Sequence, residues 1–410
     1  MTGLMAGGIA ATSLLDPDFI DDPHPFYRQL RAEAPVWAVG DTGVFTVSSF
    51  KLLADATSRV EDFSSNISCL LYRDDAGLPC RLSYGDAGVQ ALATADPPAH
   101  ALHRGTVFPE LVAKRMEDLE PEVGEVADAC ITEAIALGTV DFMTAVANVV
   151  PISMISRLIG FHDSDPEQLL QAAFDSTAML GATLSSHELL EHVGRTGEIQ
   201  SWVAGQLAIA SQRPGDDLLG AVARGLAEGV FTDFEANVVL HTLLSAGGES
   251  TASLLGNAVR ILAEHPDLQD HLRTRPEQIP TFLEEALRLE SPFRFHMRSV
   301  PAATTLGDVD IPAGSTLLML WGAANREHTL FARPDEVDLE RPSPRRHVAF
   351  GRGMHHCVGA PLARVEARVV LTMLLERTDR ITLDPDLAPR WVNSLMVRRH
   401  EVLPLRLVAR

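Results

Sequence analysis

The chain has 410 residues, a formal net charge of −21, 46% hydrophobic residues and four cysteines. Such acidity excludes a nucleic-acid partner, because phosphate binding needs a basic field. Cys69, Cys80, Cys130 and Cys357 are too few over this length for a disulfide scaffold.

At the N-terminus, MTGLMAGGIAATSLL carries no Lys or Arg ahead of its short apolar run. Neither it nor any later run is long enough to cross a bilayer, so the reading is a cytoplasmic protein with no signal peptide and no membrane anchor. No linker, charge block or repeat divides the sequence, and residues 1–410 are read as a single domain. A helix begins within DDPHPFYRQLRAEAP, and VWAVGDTGVFTVSS has the look of a β-hairpin turning near Gly40 and Asp41. Residues 66–98 lack periodicity and are expected to form a long functional loop. Helical patterns fill 99–290, and short strand patterns cluster in 293–320 and 380–408. The fold class is therefore mainly α with small β-sheets (α+β).

His100 and Arg104, four apart in ADPPAHALHR, share a helix face, for which a solvated face is the plain explanation. The longest helix pattern is TDFEANVVLHTLLSAGGESTASLLGNAVRILAEHP, with capping-box spacing at Thr232 and Glu235 and a stop at His265-Pro266. About 32 residues at ~1.5 Å each cross a whole domain. Gly247 and Gly248 each cost about 1 kcal/mol in its interior. Either they allow close helix packing, or the helix bulges to admit a ligand, with Glu249, Ser250 and Thr251 passing protons. Glu285 and Arg288 are a further i,i+3 pair that by itself means little.

HVAFGRGMHHCVGAPLARVEAR, residues 347–368, sets Cys357 just before a helix opened by Pro361, where the helix dipole favours a thiolate. Gly351, Gly353 and Gly359 let the backbone approach a bulky partner. No Asp or Glu occurs from 341 to 365, whereas Arg341, Arg345, Arg346, Arg352 and Arg364 do. A buried inert cysteine, a nucleophile, or a zinc site with His355 and His356 all remain open, zinc being weakened by the absence of a second ligand cluster.

Phe350-Gly351-Arg352-Gly353-Met354-His355-His356-Cys357-Val358-Gly359 resembles the haem-binding loop of the cytochromes P-450, F-x-x-G-x-[HR]-x-C-x-G. AGGEST (246–251), Glu285-x-x-Arg288 and Arg341 follow in that family's order, and the resemblance spans nearly the whole chain. LATADPPAHALHR, AGGESTASLLG and LLMLWGAANRE are most similar to an actinobacterial, chiefly mycobacterial, family numbered 144. The resemblance implies a triangular helical domain with a long central helix over haem b. It implies that Cys357 is the thiolate ligand of the iron. His100, Arg104, Arg298 and His355 would meet the propionates, with Ala246, Gly247, Phe350, Gly351, Gly353 and Gly359 against the macrocycle. Glu249 and Ser250, with Thr251 beside them, would deliver protons to bound oxygen, and Glu285, Arg288 and Arg341 would form a buried network.

Ser250 stands where the family usually has Thr, and NREH (325–328) replaces N-R-D-P. The Arg-Pro signature of peroxide-driven relatives is absent, which favours an O2-dependent monooxygenase hydroxylating or epoxidising an apolar small molecule. Its electrons would come from NAD(P)H through ferredoxin reductase and a ferredoxin docking on the arginines flanking Cys357. Expected pocket residues are Leu70, Leu71 and Leu82, Phe174 and Met179, Leu243 and Ala246, the run Phe293–His296, and the run Ser394–Met396, with Arg294 or His296 able to hold a polar substrate end. A haem-binding sensor without turnover, and a haem-thiolate isomerase or dehydratase, are the alternatives.

Overall fold

The computed structural model describes residues 8–83 and 89–410. Residues 1–7 of the N-terminal run, and 84–88 of the expected loop, lie outside the described residues.

The architecture is organised around one helix, Asp233–Glu264, of 32 residues. Its start is fixed by a capping box. The Thr232 hydroxyl accepts the Glu235 N–H at 3.2 Å, and the Glu235 carboxylate accepts the Thr232 N–H at 2.7 Å. His265 caps the far end and Pro266 opens the next helix, so the expected span is observed residue for residue. The bulge is not. The helix runs unbroken through Gly247 and Gly248 because their bare backbone receives the neighbouring helix Val149–Ile159. A Cβ on Gly247 would stand 2.9 Å from Ile155 Cγ1, and one on Gly248 3.1 Å from Ile152 Cδ1.

The two halves of this helix serve two cores. Ala252, Leu255 and Val259 pack with Phe282, Leu283, Val370 and Leu374 of the helices Ile279–Leu289 and Ala360–Arg377. Leu240 and Leu244 pack with Ile159, Leu169 and Leu207 on the other side. Each such side chain contributes roughly 1.5–3 kcal/mol on burial, so both ends of the helix are held firmly.

The sheets are small and peripheral. The largest has the order Val36–Ala38, Val44–Val47, Thr316–Met319, His296–Ser299, with the second and third strands parallel. The expected hairpin is present, Val36 facing Val47. Residues 66–98, expected as a loop, instead contain a second hairpin in which Cys69–Arg73 pairs with Pro79–Ser83. Asp74 closes its turn by accepting the N–H groups of Ala76 and Leu78. The run Cys69-Leu70-Leu71 does not alternate in polarity, which hid the strand. Among the described residues no helix is long and apolar enough to cross a membrane.

Beneath the central helix lies the Glu285 network. Arg288 grips the Glu285 carboxylate with two bonds of 2.8 Å, Arg341 adds one of 2.9 Å, and the Asp338 N–H a fourth. The remaining Arg288 N–H groups go to the carbonyls of Asn325, Pro334 and Glu336, which satisfies a fully buried guanidinium. This scaffold fixes the segment leading into the Cys357 loop.

Candidate active site

The Cys357 loop owes its shape to two left-handed glycines, Gly351 (φ +70°) and Gly353 (φ +74°). Backbone bonds Gly351 N–H to Val348 O, His356 N–H to Gly353 O and Cys357 N–H to Phe350 O close it into a compact turn. These glycines are thus required by the chain's own conformation. Gly359, two residues after Cys357, caps the helix Ala360–Arg377. Phe350 is braced by the Arg364 guanidinium, 4.5 Å from its ring centre.

Cys357 opens into a cavity between this loop and the central helix. Ala246, Gly247, Ser250 and Thr251 form its roof, and Ile155, Leu243, Leu254 and Phe293 supply apolar walls. Burial pushes the Cys357 thiol up, against the pull of the Gly359 and Ala360 N–H groups. All four cysteines are free, and among the described residues no three His, Cys, Asp or Glu side chains converge on a metal-sized point. That leaves Cys357 as a lone soft donor, unlike a zinc site.

One edge of the cavity gathers His100, Arg104, His296, Arg298 and His355. The His100 and His355 rings lie 4.2 Å apart. Arg104 also pins the cysteine loop, donating to Met354 O at 3.2 Å and His356 O at 3.0 Å. Among the described residues none of the five is ion-paired with a carboxylate. Burial first, then Arg298, His100, His296 and Arg104, push His355 down to about 3. Burial lowers Arg298 to about 10, although Asp96 opposes it. Nε2 of His355 is buried with no hydrogen-bond partner. An orphaned ring nitrogen beside two arginines that hold no carboxylate in an ion pair at one end, and a thiol under an apolar slot at the other, fit haem: propionates at the edge, iron at the sulfur.

The three residues of the expected proton path divide. Ser250 and Thr251 face the cavity, and the Ser250 hydroxyl donates to Ala246 O at 2.5 Å. Glu249 does not line it. Its carboxylate, buried behind the roof, accepts from Arg399 Nε at 2.8 Å and from the Thr177 hydroxyl. Burial raises the Glu249 carboxyl, and Arg399 and Thr177 draw it part of the way back. Phe174 lies under Arg399, 3.8 Å from its guanidinium carbon, and so serves this pair. Arg399 and Thr177 escaped the sequence reading; the one trace is a double arginine in the apolar run LMVRRHEVL.

Of the expected pocket residues, Leu243, Ala246, Phe293 and His296 line the cavity. Leu70 and Leu71 are turned into the core, Leu82 is exposed, and Met179 is not a wall residue. Leu395 and Met396 are core residues with Phe295, and Ser394 closes its own turn onto Val397 N–H. Arg294 is buried, donating to the carbonyls of Ile20 and Ser394, and so is spent on the fold. The flanking arginines also divide. Arg341 belongs to Glu285, and Arg364 holds Glu284 at 2.6 and 3.0 Å, with His347 at 2.9 Å. Arg345, Arg346 and Arg352 remain exposed.

A family model described as Cytochrome P450 matches residues 215–380. The chain is 38% identical over 397 residues to Cytochrome P450 144 of Mycobacterium tuberculosis, covering 96% of this chain and 91% of that one. It is 31% identical over 407 residues to the Cytochrome P450 monooxygenase PikC of Streptomyces venezuelae, covering 96% and 92%. The crystal structure of CYP109E1 from Bacillus megaterium in complex with testosterone superimposes with a TM-score of 0.84 at 26% identity, covering 95% of this chain and 98% of that one.

Proposed function

Because the chain belongs to the cytochrome P450 family, whose members are haem-thiolate monooxygenases holding haem b on a cysteine, we propose that Cys357 is that ligand here. The substrate on this reading is a largely apolar small molecule, hydroxylated or epoxidised above the haem face. Electrons arrive from NAD(P)H through a ferredoxin reductase and a ferredoxin, and residues 1–410 act as one domain in the cytoplasm.

The observation that carries the assignment is the pairing of one lone thiol with an edge of uncompensated donors, across a slot walled by aliphatic side chains. Haem, when bound, supplies the oxygen activation. What this chain adds is position and protons. His100, Arg104, Arg298 and His355 hold the propionates, while Ala246, Gly247, Phe350, Gly351, Gly353 and Gly359 enclose the ring. The apolar walls exclude water and receive substrate; the similar Bacillus megaterium protein holds testosterone. Ser250 presents its hydroxyl to the cavity beside Thr251. Glu249 recharges that hydroxyl from behind the roof, turning from Arg399 or acting through water. Arg345, Arg346 and Arg352 offer an acidic electron donor a cationic landing on the Cys357 side.

The test is the reduced carbonyl complex. Wild-type protein gives the strongly red-shifted thiolate band and Cys357→Ala loses it; a band retained in that variant sinks the assignment. Oxygen-18 in a product made with a surrogate ferredoxin and reductase establishes turnover.

A further inference from the structure

Four cofactor-edge positions are carried by sequence motifs, but the cavity edge holds a fifth group. We infer that His296, fixed in one tautomer by Trp321, is an additional donor to a haem propionate, so that a substrate end is not what it serves. The inference rests on haem occupying this cavity, as proposed above.

The strand His296–Ser299 supplies the geometry. Side chains alternate along a strand, so His296 and Arg298 leave it on the same face, and Met297 between them is buried in the core. Both His296 and Arg298 line the cavity. Register with Thr316–Met319 sets His296 opposite Met319, two residues before Trp321. There the Trp321 indole N–H donates to His296 Nδ1 at 2.7 Å. An indole nitrogen can only donate, so Nδ1 must be bare and the ring proton must sit on Nε2. Among the described residues that Nε2–H has no acceptor, and it belongs to the cavity edge that also holds His355.

Charge counting favours the cofactor over the substrate as the acceptor. Two propionates bring two negative charges, and Arg104 and Arg298 match them. A further donor then serves best uncharged, and burial, followed by Arg298, holds His296 at about 4, a neutral imidazole at physiological pH. Trp321 makes the arrangement durable. It is itself buried, so the indole cannot swing away, and it denies His296 the other tautomer, which would turn a lone pair toward the carboxylate. LLMLWGAANRE, noted in the sequence only for its likeness to one family, thereby acquires a physical role for its tryptophan.

Haem release from substrate-free holoprotein to an excess of an apoglobin scavenger tests this. His296→Leu should release haem about tenfold faster than wild type, the usual effect of removing a bond to a charged group. His296→Gln, which keeps an N–H at the Nε2 position, should stay within about threefold of wild type by the same reasoning. Trp321→Phe should speed release less than His296→Leu, and should add nothing in the His296→Leu background. With haem dimethyl ester, whose carbonyls accept only as neutral groups, the gap between wild type and His296→Leu should shrink clearly. Wild-type retention in His296→Leu, or an unchanged Leu-to-wild-type ratio with the ester, overturns the inference and leaves the monooxygenase reading standing. Wild-type protein that takes up no haem overturns both.

Discussion

Glu249 is where residue-level chemistry departs furthest from a reading of spacing. AGGEST puts an acid beside an alcohol, but each residue turns about 100° along the helix, and that rotation sets Ser250 and Thr251 on the cavity side and Glu249 off it, against Arg399. Glu249→Gln keeps the shape and removes the proton, and should lower product formed per NADPH by about tenfold, with hydrogen peroxide rising in its place; an unchanged ratio would remove Glu249 from the path. Glu284 gives a second expectation. Burial would raise its carboxyl, but hydrogen bonds from His347 and Arg364 override that and hold it at about 2. Because its folded value lies below the unfolded 4.5, the stability it contributes is full above pH 4.5 and fades as the pH falls toward 2. Glu284→Gln should therefore cost about 3 kcal/mol at pH 7, with the gap to wild type closing across that window in denaturant titrations. Cys357, His355 and the Glu285 pair were readable because their spacing is local. Arg399, Thr177 and Trp321 were not, since each acts on a residue 25 to 150 positions away and leaves no local pattern.

At the scale of elements, strong periodicity and end signals made the central helix readable to its last residue, whereas the hairpin Cys69–Ser83 was lost in a run with no alternation. Glycine was the ambiguous letter. In Gly351 and Gly353 it serves backbone conformation, and in Gly247 and Gly248 it serves contact between helices. Composition cannot separate these uses, but substitution can. Gly247→Ala is helix-compatible and gains propensity, yet its methyl would press on Ile155. A net loss of about 1–3 kcal/mol is expected, reduced in a Gly247→Ala/Ile155→Val double variant, as measured by chemical denaturation. Simple stabilisation by Gly247→Ala would mean that the two helices part without cost.

Across the whole molecule, a chain of net charge −21 leaves Arg345, Arg346 and Arg352 exposed close to Cys357 in sequence, in a stretch from 341 to 365 that holds no Asp or Glu. Several other arginines, among them Arg288, Arg294, Arg341, Arg398 and Arg399, are consumed internally. Glu290 alone draws Arg260, Arg326 and Arg398, and ties His24 near the N-terminus to the C-terminal strands. Reversing Arg346 and Arg352 to Glu should slow reduction by an acidic ferredoxin about tenfold at low salt and much less at high salt, in stopped-flow measurements. A salt-independent effect would place the contact elsewhere. The overall class, mainly helical with small sheets, followed from pattern alone, while the cavity walls did not, because a wall is made wherever distant segments happen to meet.

The donor-rich edge of that cavity also bears on how the protein comes to exist in a cell. Arg104 and Arg298 come from segments almost two hundred residues apart, and closing the fold brings both to one cavity, where Asp96 offsets only part of what burying Arg298 costs. The apoprotein therefore carries an electrostatic debt that its dicarboxylate ligand cancels. By mass action, the ligand is then a folding agent as well as a reagent. Moderate salt should raise the melting temperature of the haem-free chain more than that of the loaded one, and the amount of intact protein should follow haem supply even where its catalysis is never used.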